Sequence, residues 1–449
     1  MIVDSVFLNA KAYLKGQISD CCIAIEEGII CKIGKETQMP KADQKTDLHS
    51  RLLVLPGLID EHVHLRDEGK AYKEDFTAGT SAAAAGGFTT VLDMPNNEPI
   101  TMSAQTLRNR MGIAQRRILV NVGFYSEFPQ TRSEIREIAK QGAVAFKLFM
   151  GEQMGGVNVD DDTAITEALK AAAEMKMLVA IHAEDHTVLA TNVAKLKQAK
   201  KTALTDYLRA HTKEAEHIAV ERILKLSTGT GVQLHFCHIS TKEGLTAIAE
   251  AKKAQKTITC EVTPNHLMLT SEELQRYGSL TIMAPPLRDR FQVEALWHGL
   301  NEGSIDAIGS DHAPHTLEEK QATNIWDVKA GIPGLEVTLP LMLTMVRKGR
   351  LSLDQVVSRL AENPAKIYGL TDKGHIKAGN TADFTIVDYD CQFKIDAAKF
   401  KSKSKFSPYD GWEVNGKPVK TVVGGQVVYD EGEIIVRGGT GRVVQGSAL

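Results

Sequence analysis

The chain has 449 residues, of which 43% are hydrophobic, so it can bury a large core either as several average domains or as one large barrel. Its formal net charge of -3 gives no electrostatic reason to expect nucleic acid or an anionic membrane as a partner. Its six cysteines form no Cys-x-x-Cys pair, and it shows neither a signal-peptide pattern nor an apolar run of membrane-spanning length. We therefore expect a reduced, cytoplasmic protein whose partners are small molecules or protein subunits.

Both ends of the chain have the pattern of β-sheet. Short apolar strands alternate with turns near the N-terminus, as in Cys22–Ile30, and again near the C-terminus, as in Phe384–Val387 and Thr421–Tyr429. We predict that residues 1–54 and 375–449 together build a small β-sandwich domain.

Between these ends, short apolar runs bounded by polar or glycine residues recur eight times. The runs are Leu52–Ile59, Thr89–Met94, Leu119–Phe124, Ala143–Phe149, Met177–Ile181, Val232–Cys237, Thr257–Val262 and Ile305–Ile308. The segments between them have helical character, as in Phe76–Ala85, Asp161–Met175 and Ala215–Leu226. An open doubly wound sheet would also alternate in this way, but no Gly-x-Gly-x-x-Gly motif or phosphate loop follows any run. We therefore predict an α/β protein with a (β/α)8 barrel over residues 55–374.

The first run ends in Asp60-Glu61-His62-Val63-His64-Leu65-Arg66-Asp67, which contains two histidines spaced i, i+2. Strand geometry directs both imidazoles to one face, and Arg66 projects from the same side. Neutral imidazoles beside acidic oxygens suit a divalent transition metal. A lone His-x-His is also common in surface strands, so this motif needs support from the rest of the chain.

Polar residues close or occupy the other runs as well. They are Asn96, Lys147, His182, His238, Asn265 and Asp311. Each one taken singly has a structural explanation, such as a strand-terminal hydrogen bond. In a (β/α)8 barrel, however, all of them would surround one rim, where catalytic residues gather. Their joint placement predicts a metal-dependent hydrolase.

Lys147 lies inside the apolar run Ala143–Phe149, and two interpretations of it are open. Burial and nearby dications would favour the neutral amine, which can react with carbon dioxide to give a carbamate that bridges two metals. Alternatively, Lys147 is a barrel lysine whose ammonium reaches solvent.

Long ordered motifs spread over nearly the whole chain resemble those of the dihydroorotases of the amidohydrolase superfamily. The motifs are Asp60–Gly69, Ala82–Thr90, Met94–Asn96, His235–Thr241, Glu261–Pro264, Pro285–Arg288, Asp311–Thr316 and Gly331–Glu336. The resemblance implies that one zinc ion binds to His62, His64 and Asp311 and a second to His182 and His238. Carboxylated Lys147 and a hydroxide would bridge the two ions.

The resemblance also implies a reaction and a set of substrate contacts. The enzyme would interconvert N-carbamoyl-L-aspartate and L-dihydroorotate in pyrimidine (UMP) biosynthesis, with Asp311 transferring the proton. Arg66, Asn96 and His315 would bind the substrate carboxylate, and the backbone at Pro333 and Gly334 would contact the ring amides. Dihydroorotases of this kind often form homodimers or associate with aspartate transcarbamoylase.

Three positions depart from the dihydroorotase pattern, namely Glu68, Asn265 and Ala284. Ala284, where an asparagine is usual, resembles the related allantoinases, which with the hydantoinases open other cyclic ureides. Arg66 and the run Asp311–Lys320 favour dihydroorotase, because a substrate with a carboxylate needs Arg66 and neutral allantoin does not. Non-catalytic relatives that serve as scaffolds have lost metal ligands, whereas every ligand position is filled here. The loop 151–162 is either a lid over the site or a static connection.

Overall fold

The computed structural model describes residues 2–129, 131–255 and 257–446. Its strands are β1 (Ile2–Leu14), β2 (Gln17–Glu26), β3 (Ile29–Gly34), β4 (Lys41–Asp47), β5 (Leu53–Pro56), β6 (Leu58–Val63), β7 (Phe88–Asp93), β8 (Asn121–Glu127), β9 (Ala145–Phe149), β10 (Leu178–His182), β11 (Gln233–Phe236), β12 (Ile258–Val262), β13 (Ala307–Ile308), β14 (Phe384–Lys394), β15 (Glu413–Val423), β16 (Gln426–Asp430) and β17 (Glu433–Ile434).

Its helices are α1 (Phe76–Ala85), α2 (Ala104–Ala114), α3 (Arg132–Gln141), α4 (Asp162–Glu174), α5 (His186–Gln198), α6 (Leu204–Ala210), α7 (Lys213–Ser227), α8 (Lys242–Ala254), α9 (Pro264–Met268), α10 (Glu273–Tyr277), α11 (Arg290–Glu302), α12 (Leu317–Lys320), α13 (Leu335–Arg347), α14 (Leu353–Val357) and α15 (Asn363–Ile367). None of the helices in the described parts of the chain combines the length and the apolar character that a bilayer crossing requires.

Strands β6 to β13 form one parallel sheet in sequence order, with helices in the connections. A parallel bridge between Val63 and His312 joins the last strand region to the first, so the sheet closes into a barrel. The predicted (β/α)8 barrel is confirmed. Parallel pairing places the carboxyl ends of all eight strands at one rim, which is where the predicted polar residues lie.

The first predicted run, Leu52–Ile59, is divided between two sheets. Leu53–Pro56 pairs with β1 and β14 outside the barrel, and only the part from Leu58 onward is a barrel strand. Gly57 separates them at a close approach, where an added Cβ would lie 2.3 Å from the Thr89 hydroxyl. A short buried apolar run has the same pattern in either sheet, so its composition cannot show the division.

Side-chain caps explain where several helices begin. Asp75 accepts a hydrogen bond from the Ala78 N–H at the start of α1, which has the predicted bounds. Asp161, predicted as the first residue of a helix, is instead the N-cap of α4 and accepts from Thr163 and Ala164. Such caps satisfy N–H groups that the helix itself leaves without partners.

The two ends of the chain form a mixed nine-stranded sheet. Its order is β17-β16-β15-β14-β5-β1-β2-β3, and β4 pairs with β1. The antiparallel pair β5–β14 joins the N-terminal part to the C-terminal part, and Phe7, Ile23 and Phe384 pack in a core of their own.

The C-terminal region also returns to the barrel. The Val122 N–H donates to the Arg442 carbonyl at 2.9 Å, and Ser404 bonds to the backbone of His315. The division into residues 1–54 with 375–449 and residues 55–374 therefore stays a proposal.

Candidate metal-dependent active site

His62, His64 and Asp311 come together at the barrel rim, and one ligand atom from each lies within 4.8 Å of the others. The Nε2 atoms of His64 and His62 lie 3.1 Å and 3.5 Å from the same oxygen, Oδ1 of Asp311. All three side chains are buried. Two imidazole nitrogens and one carboxylate oxygen directed at a common point are a donor set suited to a divalent transition metal.

His182 and His238 form the second part of the cluster. His182 Nδ1 lies 3.1 Å from His238 Nε2, and the His238 ring centroid lies 5.0 Å from that of His62. Among the described residues, His238 Nδ1 is buried without a hydrogen-bond partner. Burial lowers the pKa of His64 to about 4 and that of His238 well below its usual value, so both imidazoles are neutral and able to act as ligands.

Oxygen atoms fix the orientation of three of these rings. Glu261 Oε1 hydrogen-bonds to His62 Nδ1, and Asn96 Oδ1 lies 2.6 Å from His64 Nδ1. Glu184 Oε2 lies 3.0 Å from His182 Nε2. Each contact occupies one ring nitrogen and leaves the other one facing the cluster, as is usual around protein metal sites.

Lys147 lies beneath these groups on β9 and is fully buried. Its Nζ contacts Cys237 Sγ at 2.9 Å, and no carboxylate in the described parts of the chain pairs with it. The structure therefore contradicts the alternative in which the ammonium reaches solvent, because the side chain has no exposed surface. The Lys147 side chain ends inside the barrel, against Cys237.

Three residues of the site have left-handed backbone conformations although none of them is glycine. Their φ angles are 61° for Arg66, 35° for His238 and 46° for Asp311. This conformation is costly for residues with a Cβ, so the surrounding structure must hold it. Here it turns the chain directly after the barrel strands, so that these side chains face the rim.

Arg66, Asn96 and His315 lie beside the metal cluster. Arg66 Nη2 is 3.4 Å from His315 Nε2, whereas among the described residues Arg66 Nε is buried without a hydrogen-bond partner. Burial lowers the pKa of Arg66 to about 10, so the guanidinium remains charged at neutral pH. Burial, together with the repulsion of Arg66 and Lys73, keeps the pKa of His315 well below its usual value. This side of the site can bind an anion.

A cavity of about 550 Å³ connects the two sides. It is lined by five of the six predicted metal ligands, all but Lys147. The three predicted anion-binding residues and Ala284, Ala330 and Gly331 also line it. Phe149, Met154 and Leu189 add apolar wall. The loop after β9 contributes Gly151, Glu152 and Met154 to this lining, so it forms part of the wall in this conformation.

Pro333 and Gly334 follow closely after the segment that lines the cavity. Neither belongs to the described lining of the cavity, and Gly334 donates its N–H to His312 Nδ1 at 3.2 Å at the start of α13. The residues of this segment that line the cavity are Lys329, Ala330 and Gly331. Gly331 is required there, because its φ is 151° and an added Cβ would lie 2.4 Å from the Ala313 carbonyl oxygen. The contact of Pro333 and Gly334 with the ring amides therefore stays a prediction.

Several functional neighbours were missed by the sequence reasoning. Glu261 and Glu184 orient metal-site histidines, and Lys73 contacts both His315 Nδ1, at 3.2 Å, and Glu319 Oε1, at 2.7 Å. Glu261 carried a usable signal, since it is a charged residue inside the apolar run Thr257–Val262. Asn265, which followed the seventh run, bonds to Tyr409 and lies outside the cavity lining.

A parallel barrel with buried imidazoles and a carboxylate at the carboxyl ends of its strands defines a metal-dependent hydrolase of the α/β barrel class. Comparison with known proteins agrees with this class, because a profile of the Amidohydrolase family matches residues 53–428. The chain belongs to the amidohydrolase family.

Individual relatives are similar over nearly the whole chain. A dihydroorotase from Methanothermobacter thermautotrophicus is 38% identical over 430 residues, which are 94% of this chain and 93% of that protein. An L-hydantoinase from Paenarthrobacter aurescens is 33% identical and covers 98% of both chains. The solved structure of the L-hydantoinase (dihydropyrimidinase) from Arthrobacter aurescens superposes with a TM-score of 0.94 at 32% identity, covering 99% of this chain and 100% of that one.

Proposed function

We propose that this protein is a dihydroorotase, which closes N-carbamoyl-L-aspartate to L-dihydroorotate with loss of water and catalyses the reverse hydrolysis. Several similar curated proteins, including the one from Methanothermobacter thermautotrophicus, are dihydroorotases at 36–39% identity over more than 90% of this chain. The observation that carries the proposal is the position of Arg66 in this site.

Arg66 presents a buried guanidinium with one unoccupied donor to the cavity that contains the metal cluster. A buried charge without a carboxylate partner is costly unless a ligand supplies one. A guanidinium can meet a carboxylate with two parallel hydrogen bonds. Asn96 uses its Oδ1 to orient His64, which leaves its amide N–H₂ able to donate to the same ligand. The site thus suits a cyclic ureide that bears a carboxylate, as dihydroorotate does.

The proposed cofactor is two Zn²⁺ ions, one on His62, His64 and Asp311 and the other on His182 and His238. Carboxylated Lys147, formed by addition of carbon dioxide to its amine with loss of a proton, would help to hold both ions. Two observations support this assignment: Lys147 is fully buried, and its amino group contacts Cys237 but forms no ion pair with a carboxylate in the described parts of the chain. When bound, the ions would supply an activated nucleophile at neutral pH and polarise the ring carbonyl.

The residues of the chain carry out the remaining steps. Arg66, Asn96 and His315 orient the substrate by its carboxylate. The backbone at Pro333 and Gly334, close to the cavity-lining Ala330 and Gly331, is the proposed contact to the ring amides. Asp311 accepts the proton of the attacking water and passes it to the departing ring nitrogen. Burial raises the pKa of Asp311, but His62 and His64 outweigh it and keep that pKa below its usual value, so the carboxylate is ready to accept. Ring closure reverses these steps.

Hydantoinase activity is the second candidate. Ala284 lines the cavity where dihydroorotases usually have asparagine, and an L-hydantoinase has a closely similar fold. Allantoinase activity is the third candidate, because Ala284 also resembles the allantoinase pattern. These substrates are neutral, so they would leave the Arg66 guanidinium without a counter-charge.

The deciding experiment is a parallel assay of one metal-counted preparation with L-dihydroorotate, hydantoin, dihydrouracil and allantoin. We expect kcat/KM to be highest for dihydroorotate by at least about tenfold, which corresponds to about 1.4 kcal/mol. A preference for a neutral ureide would overturn the proposal and favour the second candidate. The homodimer and the association with aspartate transcarbamoylase remain predictions, which light scattering of the protein alone and mixed with that enzyme would test.

A further inference from the structure

Lys320, the last residue of α12, is fully buried although it carries an amino group at the end of a long side chain. Its Nζ donates to three backbone carbonyl oxygens: Ile282 at 2.7 Å, Gly331 at 2.9 Å and Lys329 at 3.0 Å. Among the described residues no carboxylate pairs with it, and the nearest aromatic group is the Phe406 ring at 6.0 Å. Three carbonyls use all three donors of an ammonium group.

The three carbonyls belong to two segments that contribute to the wall of the substrate cavity. Lys329 and Gly331 line the cavity on one segment, and Ile282 lies two residues before Ala284 on another. The two segments are also bonded directly, since the Gly331 N–H donates to the Ile282 carbonyl at 2.9 Å. Lys320 bonds to both segments but does not itself line the cavity.

Helix α12 connects this wall to the anion-binding side. The Lys329 N–H donates to the Glu319 carbonyl at 3.1 Å, and the Glu319 side chain pairs with Lys73, which contacts His315. Neighbouring residues of one short helix thus bond to the two regions that the proposed substrate would contact. The chain places a buried amine here instead of an apolar side chain, although an apolar side chain would avoid the cost of desolvation.

We infer that Lys320 is a positioning residue for substrate binding, which holds the Ile282–Ala284 and Lys329–Gly331 segments at the spacing that the substrate ring requires. This inference rests on the proposed function, because it assumes that the cavity binds a cyclic ureide. Lys320 does not touch the reacting atoms. Its loss should therefore weaken substrate binding more than it slows the chemical step.

The test is Lys320→Met, which keeps the length of the side chain but removes its donors. We expect KM for dihydroorotate to rise by about tenfold or more, kcat to stay within about threefold and the metal content to be unchanged. Peptide-resolved hydrogen exchange should become faster over residues 282–284 and 329–331, because the carbonyls in these segments lose the hydrogen bonds from Lys320. The matched control is Lys373→Met, since Lys373 is also buried but pairs with Asp383, outside the cavity lining.

If Lys320→Met does not fold, Lys320→Gln is the second variant. It keeps two N–H donors and should show a smaller rise in KM and a smaller increase in exchange. Unchanged KM, or a changed KM with unchanged exchange in both segments, would overturn the inference. Failure of the wild-type enzyme to process dihydroorotate would instead overturn the proposed function, and the exchange measurement would still report on Lys320.

Discussion

Arg66 shows how one residue sets the substrate class of this site. Its left-handed backbone turns it out of the strand direction, and burial removes water that would otherwise solvate the guanidinium. His315 lies close to it but is held neutral, so it does not balance the charge. A ligand carboxylate is therefore the expected partner. Its contribution can be measured by comparing substrates that carry a carboxylate with substrates that do not.

The variant Arg66→Ala should lower kcat/KM for dihydroorotate by a factor that corresponds to ~3 kcal/mol of transition-state stabilisation. The reason is that it removes a two-point hydrogen bond to a carboxylate in a buried site. Metal content, measured by mass spectrometry, should stay normal. Turnover of hydantoin, which has no carboxylate, should change little, and Arg108→Ala on the exposed face of α2 is the control variant. Equal losses with both substrates would contradict the assignment of Arg66 to the carboxylate.

Lys147 is the second residue with a measurable consequence. The variant Lys147→Ala should lose metal and activity, because the proposed carbamate can no longer form. Short carboxylic acids such as acetate or propionate should restore part of both, since they can occupy the space and supply the missing oxygens. Rescue by a small amine, or wild-type metal content without any additive, would count against a carbamate.

At the scale of elements, α13 is coupled to the C-terminal part of the chain through Glu336. The Ser402 N–H donates to Glu336 Oε1 at 3.0 Å, and the Ser402 hydroxyl contacts Glu74 next to α1. Burial, with added repulsion from Glu74, raises the pKa of Glu336 to about 7. The contact between these elements therefore depends on pH.

The unfolded chain releases the Glu336 proton near its usual pKa, whereas the folded chain keeps it up to a pH of about 7. The free energy of unfolding should thus decrease by up to about 2 kcal/mol as pH rises through this window, once partial solvent exposure is allowed for. Above the window it should level off. Glu336→Gln should remove this part of the pH dependence when urea unfolding is measured at pH 5 and pH 8. Glu214→Gln, at an exposed position of α7, should not, and identical pH profiles for wild type and Glu336→Gln would refute the coupling.

At the scale of the whole molecule, the two ends of the chain complete the barrel as well as their own sheet. Arg442 and Val444 bond to Val122 at the start of β8, and Ser404 bonds to both the N–H and the carbonyl of His315. The barrel segment alone would leave these groups unpaired and expose the apolar surface that they cover.

Residues 55–374 expressed alone should therefore be insoluble or lack a cooperative unfolding transition, as judged by size-exclusion chromatography and circular dichroism. The full chain prepared in parallel is the control. A soluble fragment that unfolds cooperatively and binds metal would show that the barrel is an independent domain, as its sequence pattern suggests.

Local patterns were enough to predict the eight strands, helix α1 and the side chains at the rim. Strand alternation places His62 and His64 on one face whatever surrounds them, and an apolar run between polar residues predicts a buried strand. The resemblance in the motifs then assigned expected roles to side chains far apart in the sequence, and the structure brings His62, His182, His238 and Asp311 to one place.

Only the tertiary structure decided the features that depend on contacts between distant segments. It divided the run Leu52–Ile59 between two sheets, placed Ala330 and Gly331 in the cavity wall, and placed Lys320 against three carbonyls. Loop paths and partners more than a hundred residues away leave no periodic signal in the chain, because they arise from packing after the strands have formed. The sequence by itself therefore determined which groups the site contains, and the folded chain decided which of them meet and what supports them.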